Sequence, residues 1–279
     1  MKTAVILGAG QMGRRLAALL NKNNIRLLAY GDNNPASHTP QAVVPVYAVE
    51  TALALLPDIV FIGVAGRTRS QELQQQARAL GYTGQVVALS NLAAHVDLRA
   101  ATLQSLLPRL SHVKGDLAEV GVYQGDFAWQ LNAAFPERRL HLFDTFDGFS
   151  ETDLAAETTP LQQQGKVDFS DTSVAAVVSR MPHPAQVVVH PGHFPETAAA
   201  LETSYALASI DADLYAPTLA ALHYFMPRMK QGGVLLMHDY TNPRFPGVAQ
   251  AVQDYETEHG PLLLLPLPDL HGTAVIMVP

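Results

Sequence analysis

Short apolar runs alternate along the chain with glycine-containing turns and with stretches in which apolar residues recur at helical spacing. In the N-terminal third, buried strands are predicted at residues 2–7, 25–30, 43–49, 58–64 and 86–89, and helices at 14–21 and 70–80. Strands that alternate with helices predict a parallel sheet covered by helices.

The same alternation returns after a leucine-rich helical stretch at residues 92–110. Strands are predicted at 117–120, 139–143, 186–189, 206–210 and 234–237, with a closing antiparallel hairpin at 262–265 and 273–278. Helices are predicted at 172–181, 197–203, 217–229 and 248–259. Ser170 or Asp171 is expected to cap the first of them, and Gly232 and Gly233 are expected to end the third. The pattern predicts an α/β protein of two Rossmann-like, doubly wound domains, 1–91 and 92–279, with residues 92–115 as a helical linker.

The first predicted strand leads into a glycine-rich turn. Gly8, Gly10 and Gly13 form G-x-G-x-x-G before a helix, and Asp32 follows 24 residues after Gly8, beyond the second strand. Such glycines open the helix N-terminus to phosphate, and the acid suits a ribose hydroxyl. A nucleotide site is therefore predicted here, although the loop position of Asp32 weakens the case for NAD.

A second glycine turn, E-V-G-V-Y-Q-G, organises the rest of the chain. Gly121 and Gly125 allow a sharp turn and a close ligand, and Asp144 lies 23 residues after Gly121, where an acid reaches a ribose. Glu119 places a carboxylate beside the turn, which suits a ligand with a cationic end. S-adenosylmethionine, which carries an amine and a sulfonium, fits this turn better than NAD.

Ionisable residues collect at the predicted strand ends of the second sheet, namely Glu119, Asp144, Asp211, Asp213, His238 and Asp239. Ligands of open α/β sheets bind beyond these ends, so the side chains are expected to face one site. Asp211, His238 and Asp239 would form an O/O/N cluster suited to a hard or borderline divalent cation.

Composition narrows the function classes. The 279 residues are 48% hydrophobic and 15% charged, with a net charge of −7 and no cysteine. The negative charge and the lack of a long basic run argue against a nucleic-acid partner, and the absence of cysteine excludes disulfides and thiolate metal sites. No apolar run approaches the ~20 residues of a membrane span, so a soluble cytoplasmic protein is expected.

The motifs of the second half resemble the macrocin O-methyltransferase family. They are E-x-G-V-x-x-G, D-T-F-D-G-F, P-G-H-F-P-E-T, I-D-A-D-L-Y and G-G-V-L-L-M-H-D-Y, in that order from about Asp97 onward. The resemblance implies a class I methyltransferase sheet with an antiparallel terminal hairpin, using S-adenosylmethionine and a divalent metal, Mg²⁺ or Mn²⁺, to methylate a sugar hydroxyl. The implied acceptor is a small molecule or glycan, including a nucleotide-linked sugar.

The resemblance also assigns residues. It implies cofactor contacts at Glu119, Gly121, Tyr123, Gly125 and Asp144, with Asp168 and Phe169 near the adenine. Asp211 would be metal ligand and general base, and Asp239 a second ligand. The family usually has two adjacent aspartates where this chain has His238-Asp239, and an imidazole favours manganese, iron or zinc over magnesium.

Residues 1–91 resemble the Rossmann-like N-terminal domains of bacterial sugar acyltransferases, through the loop D-N-N-P after the second strand. This resemblance implies a nucleotide or nucleotide-sugar site at Gly8, Gly10, Gly13 and Asp32, with Gly66 and Arg67 nearby. A scaffold domain with an empty pocket is the equal alternative.

Other features leave alternatives open. Residues 150–166 suit a lid over the ligand or an inert insertion, and residues 92–110 suit core packing or a homo-oligomer interface. Of His183, His190 and His193, surface roles are favoured over a second metal site, except that His193 follows a strand bordering the cofactor pocket. The function hypotheses besides a methyltransferase are a nucleotide-linked oxidoreductase using the Gly8 turn and a non-catalytic S-adenosylmethionine-binding partner protein.

Overall fold

The computed structural model of the protein describes residues 1–38, 44–64, 66–93, 96–157, 169–269 and 271–279, without the side chains of residues 92 and 93. Contacts within it divide the chain into two compact units, Met1–Asp97 and Leu98–Pro279. The sequence predicts this boundary at residue 91, and the contact division falls at Asp97. Each unit is a sheet with helices, so the predicted α/β fold class is confirmed.

The first unit contains a parallel sheet of five described strands, in the order β3-β2-β1-β4-β5. The strands are β1 (Lys2–Leu7), β2 (Ile25–Asp32), β3 (Val46–Ala48), β4 (Ile59–Ile62) and β5 (Gln85–Ala88). Its helices are α1 (Gln11–Leu19), α2 (Val49–Leu53), α3 (Arg67–Ala79) and α4 (Leu89–Ala93). The predicted strand at 43–49 is shorter than expected, and residue 43 lies outside the described residues. The strand order reverses between β1 and β4, which places the Gly8 turn at the switch point of this sheet.

The second unit contains seven described strands in the order β11-β12-β10-β9-β6-β7-β8. They are β6 (Asp116–Val120), β7 (Leu140–Asp144), β8 (Val187–Pro191), β9 (Tyr205–Ile210), β10 (Met229–Met237), β11 (Leu264–Pro266) and β12 (Ala274–Met277). The five neighbouring strands β8, β7, β6, β9 and β10 are parallel to one another. The strand β12 lies between β10 and β11 and is antiparallel to both. The strand order reverses between β6 and β9, so a ligand is expected beyond their carboxyl ends.

Helices cover both faces of the second sheet. They are α5 (Leu98–Leu110), α6 (Asp126–Ala134), α7 (Glu151–Ala155), α8 (Val174–Arg180), α9 (Tyr215–Phe225) and α10 (Pro246–His259). Alternate residues of β10 point to opposite faces: Leu235 belongs to one buried apolar cluster and Leu236 to the other. Burial on both faces explains why these strands are continuous apolar runs in the sequence.

Residues 92–115 do not form one helical linker. The chain has α4 and α5 instead, and Leu103 and Leu110 of α5 are fully buried in the core of the second unit. Of the two roles weighed for residues 92–110, α5 has the core-packing role.

Three local predictions were wrong. Ser173, not Ser170 or Asp171, caps α8, because its side chain accepts a hydrogen bond from the Ala176 amide. The helix predicted at 197–203 is a single 3₁₀ turn at Glu196–Ala198.

Gly232 and Gly233 do not end the helix before them but lie inside β10. The helix α9 ends at Phe225, before a 3₁₀ turn that contains Pro227. Proline has no amide hydrogen to donate to an α-helix, which favours an end at this point.

Candidate active site

A cavity of about 410 Å³ opens at the carboxyl ends of β6, β7, β9 and β10 in the second unit. This volume lies within the range of small-molecule sites. Its lining includes Glu119, Tyr123, Phe169, Asp211, His238 and His271. The switch point of the sheet therefore coincides with a ligand-sized cavity lined by carboxylates, imidazoles and aromatic rings.

The Asp144 carboxylate organises the glycine turn at one side of this cavity. Its Oδ2 accepts hydrogen bonds from the amides of Val122 (2.6 Å) and Tyr123 (2.9 Å), and its Oδ1 accepts one from Phe146 (2.7 Å). A carboxylate oxygen can accept more than one hydrogen bond, so these contacts leave room for a ligand hydroxyl. The predicted ribose acid is thus also the residue that shapes the turn.

Gly121 brings the turn against the end of β9. Its φ is +81°, and a Cβ at this position would collide with the carbonyl oxygen of Asp211. Tyr123, in the same turn, also has a positive φ of 49°. Backbone strain of this kind concentrates at ligand sites, where the surrounding fold enforces it.

Glu119 is a buried acid with an incomplete set of partners. It is 2% exposed, lines the cavity, and its Oε2 accepts no hydrogen bond from any described residue. Burial raises the pKa of Glu119 well above its usual range, although the nearby Arg99 charge opposes this. A buried oxygen without a donor is costly, so this carboxyl is suited to receive a donor from a ligand.

Three aromatic rings line the cavity near the glycine turn. The Phe169 ring meets Tyr123 edge-on at 5.1 Å and Phe149 at 5.3 Å between ring centres. Such a group offers apolar surface to a flat ring system. Phe169 thus lines the cavity, and its contact with adenine stays a prediction. Asp168 and residues 158–166 of the proposed lid lie outside the described residues.

Asp211 is the centre of the polar side of the cavity. Its Oδ1 lies 2.9 Å from His238 Nδ1, and its Oδ2 lies 2.7 Å from a guanidinium nitrogen of Arg99. His238 Nδ1 is also 2.5 Å from Asp239 Oδ2, and Asp239 Oδ1 accepts a hydrogen bond from the Asn242 amide nitrogen. Within the predicted trio, His238 therefore contacts both Asp211 and Asp239.

Burial and neighbouring charges shift the pKa values of the side chains in this cluster. Burial raises the pKa of Asp211, but the neighbouring charges of His238 and Arg99 outweigh it and hold that pKa well below its usual range. Burial lowers the pKa of His238, but the carboxylates of Asp211 and Asp239 raise it well above normal. Burial and the charges of Asp211 and Asp239 raise the pKa of Asp213. Asp211 is therefore the acid of this cluster whose ionised form is stabilised by its neighbours.

The donor set also fits a divalent cation. Asp211, Asp213, His238 and Asp239 each offer one ligand atom, and these atoms all lie within 4.8 Å of one another. Three carboxylates and one imidazole suit a metal that accepts both oxygen and nitrogen. Asp213 and Asp239 have φ values of +60° and +56°, so two of these residues occupy strained backbone positions.

His193 lies at the edge of the cavity in a carboxylate clamp. Its Nε2 is 2.8 Å from Asp153 and its Nδ1 is 2.7 Å from Glu196. Hydrogen bonding to Glu196 and then to Asp153 raises the pKa of His193 above its usual value. The clamp connects the turn after β8 to α7 beside the cavity.

The cavity lining includes all but one of the predicted residues of the second unit that the structure describes, namely Glu119, Gly121, Tyr123, Asp144, Phe169, His193, Asp211, His238 and Asp239. The exception is Gly125, which does not line the cavity and is the N-terminal cap of α6. Sequence reasoning missed Arg99 and did not include Asp213 in the metal cluster. Arg99 stacks over the Phe127 ring at 4.0 Å and is 112 residues from Asp211 in the chain. No local pattern marks such a pair.

In the first glycine turn, as in the second, an aspartate carboxylate accepts a hydrogen bond from a backbone amide of the turn. Asp32 Oδ2 accepts a hydrogen bond from the Ala9 amide (2.9 Å) and lies 3.1 Å from His38 Nε2. A Cβ on Gly13 would collide with the Gly8 carbonyl, so the helix α1 packs closely against this turn. The predicted nucleotide site of Gly8, Gly10, Gly13 and Asp32 stays a prediction.

No helix among the described residues is long and apolar enough to cross a membrane.

The second sheet is parallel except for β12, and its cavity lies at the central switch point. This fold is similar to that of solved O-methyltransferase structures. The O-methyltransferase NovP shares this fold at a TM-score of 0.55 and 21% identity, covering 64% of this chain and 79% of NovP. CalS11, a calicheamicin methyltransferase, shares it at a TM-score of 0.53 and 21% identity, covering 76% of this chain and 86% of CalS11.

Within this class, the family can be named. The family model "Macrocin-O-methyltransferase (TylF)" matches residues 65–277, and the chain belongs to this family. A relative from Streptomyces olivaceus, "8-demethyl-8-(2,3-dimethoxy-alpha-L-rhamnosyl)-tetracenomycin-C 4'-O-methyltransferase", is 27% identical over 177 residues, which cover 58% of this chain and 65% of the relative. The match thus spans just under two thirds of that relative. The family resemblance stated from the motifs is confirmed.

Proposed function

We propose that the protein is an S-adenosylmethionine-dependent O-methyltransferase that acts on a sugar hydroxyl of a small molecule, a glycan or a nucleotide-linked sugar. The observation that carries this proposal is the juxtaposition of Glu119, Gly121 and Asp144 with the Asp211 cluster in one cavity. The family membership supports methyl transfer, and the Streptomyces relative, whose name specifies a rhamnosyl substrate, supports a sugar acceptor.

Each wall of the cavity has a role in this proposal. Glu119 receives the amine of the donor, Asp144 the ribose hydroxyls, and the rings of Tyr123 and Phe169 the adenine. Asp211 takes the proton of the acceptor hydroxyl as its oxygen forms a bond to the methyl carbon. The carbon–sulfur bond breaks at the same time and leaves S-adenosylhomocysteine. Holding both reactants in line in one cavity supplies much of the rate enhancement.

A divalent cation belongs to the same proposal. Asp211, Asp213, His238 and Asp239 would hold it, and it would lower the pKa of a neighbouring sugar hydroxyl. Asp211 then accepts the proton, while Asn242 holds Asp239 in place through its amide.

Calorimetric titration separates the candidate functions. S-adenosylmethionine is expected to bind the intact protein at one site per chain, and NADH is expected not to bind. Transfer of labelled methyl groups to rhamnosylated glycosides or nucleoside-diphosphate hexoses, with Mn²⁺ or Mg²⁺, then tests catalysis. Absence of S-adenosylmethionine binding would reject the proposal, and binding without transfer to any sugar would favour the non-catalytic partner protein.

The His238→Asp variant tests the metal assignment. Because a carboxylate suits magnesium better than an imidazole does, the variant is expected to raise Mg²⁺ affinity relative to Mn²⁺ by about tenfold. Competition calorimetry in the absence of donor measures this ratio. His271→Asn is the matched control, since His271 lines the cavity 5.7 Å from the His238 ring but lies outside the four-residue ligand group. An unchanged ratio in His238→Asp would remove His238 from the ligand set.

The first unit is proposed as an accessory domain, 1–91, that binds the nucleotide or glycan portion of the acceptor at Gly8, Gly10, Gly13 and Asp32. The contact between Asp32 and the Ala9 amide supports a preformed turn there. Titration of nucleoside diphosphate sugars into the wild type and an Asp32→Ala variant tests it. Equal affinities in the two proteins would leave this unit as a scaffold.

A further inference from the structure

The cavity contains an acidic side chain, Glu119, and a cationic one, Arg99, and only Glu119 has been given a role in methyl transfer so far. Glu119 and Arg99 both line the cavity, and the Arg99 charge is the largest favourable charge acting on the buried Glu119 carboxyl. An amino-acid end carries an ammonium and a carboxylate, so a carboxylate and a guanidinium in one cavity suit its two charges. The other guanidinium among the described lining residues, that of Arg244, is exposed and stacks over Phe245 at 5.5 Å.

Arg99 is held in position before any ligand arrives. Its side chain is 12% exposed, its guanidinium lies over Phe127 at 4.0 Å, and one of its nitrogens is 2.7 Å from Asp211 Oδ2. A guanidinium has five N–H donors in a planar fork, so it can bind a second carboxylate while it remains stacked. The group is pre-organised for a planar anion beside Glu119.

We propose that Arg99 binds the carboxylate of the donor's amino-acid end and thereby couples donor binding to cation binding at Asp211. The inference rests on the proposed donor site. A divalent cation at Asp211 is repelled by the guanidinium that contacts the same carboxylate, since like charges a few ångströms apart repel strongly in a buried site. The carboxylate of the donor compensates the Arg99 charge and weakens this repulsion. Donor and cation therefore favour each other's binding, and the effect must be reciprocal.

The coupling is measurable without catalysis. Mn²⁺ is titrated into the full chain alone, with S-adenosylhomocysteine, and with 5′-methylthioadenosine, and free Mn²⁺ is followed by electron paramagnetic resonance. S-adenosylhomocysteine has the amino-acid end and an uncharged sulfur, whereas 5′-methylthioadenosine lacks the amino-acid end. In the wild type, S-adenosylhomocysteine is expected to tighten Mn²⁺ binding about fivefold or more, and 5′-methylthioadenosine is expected to leave it unchanged.

The Arg99→Ala variant should lose this coupling. It is expected to bind Mn²⁺ more tightly than the wild type in the absence of ligand, and to bind S-adenosylhomocysteine about ten- to a hundredfold more weakly. Arg109→Ala, which removes an exposed arginine of the same helix, should behave as the wild type. If Arg99→Ala does not fold, Arg99→Lys serves instead, because it keeps the charge but removes the fork and should also weaken S-adenosylhomocysteine binding.

The outcomes separate this inference from the proposed function. Coupling that persists in the Arg99 variant, or that 5′-methylthioadenosine produces equally, overturns the role of Arg99 and leaves the methyltransferase proposal intact. S-adenosylhomocysteine binding without any Mn²⁺ binding in wild type or variant also overturns the coupling. A protein that binds no S-adenosylhomocysteine fails both proposals.

Discussion

The Asp211→Asn variant is expected to transfer methyl groups about 10²- to 10⁴-fold more slowly than the wild type, which is the usual contribution of a positioned general base. Asparagine keeps the size of the side chain and an oxygen for Arg99, but its amide nitrogen cannot accept the hydrogen bond from His238 that Asp211 Oδ1 accepts. The loss should appear in kcat rather than in the affinity for S-adenosylmethionine measured without added cation, because the proposed contacts of the donor do not include Asp211. Labelled methyl transfer and calorimetry measure the two quantities.

Asp147→Asn is the matched control for this prediction. Asp147 is an exposed acid in the loop after β7, and it does not line the cavity. It should keep wild-type kcat and donor affinity. Near wild-type turnover in Asp211→Asn, with a normal melting temperature, would show that another group takes the proton.

The strand-end residues of the site were predictable from the sequence alone. Glu119, Asp144, Asp211 and His238 each adjoin an apolar run that ends abruptly, and the rule that ligands bind beyond strand carboxyl ends then places them together. The turn at Gly121 was predictable for a different reason. Glycine is the residue that most readily adopts a positive φ, and Gly121 has a φ of +81°.

The rest required three-dimensional information. Arg99 lies in a leucine-rich helix whose pattern indicates only packing, and its contact with Asp211 depends on where that helix crosses the sheet. The cap of α8 could not be chosen because Ser170, Asp171 and Ser173 are all good capping residues. The Gly232-Gly233 pair has the sequence pattern of a helix end. Strand pairing with β9 shows that β10 already begins at Met229, before these glycines.

The Gly121→Ala variant is expected to lose both stability and donor binding. The new methyl group would be forced against the carbonyl of Asp211, and the residue would have to keep a φ of +81°. The backbone conformation costs about 1–2 kcal/mol for a residue with a Cβ, and overpacking adds about 1–3 kcal/mol. Urea denaturation measures the free energy of unfolding, and calorimetry the donor affinity.

Gly81→Ala separates the two causes. Gly81 has a similar φ of +87°, but a Cβ there would meet nothing within 4 Å. It should therefore show the backbone cost alone, with unchanged donor affinity and methyl transfer. In Gly121→Ala the collision displaces the Asp211 backbone, so methyl transfer should fall even under conditions in which the variant is folded. Equal effects of the two substitutions on stability and on transfer would contradict the close approach of the glycine turn to the end of β9.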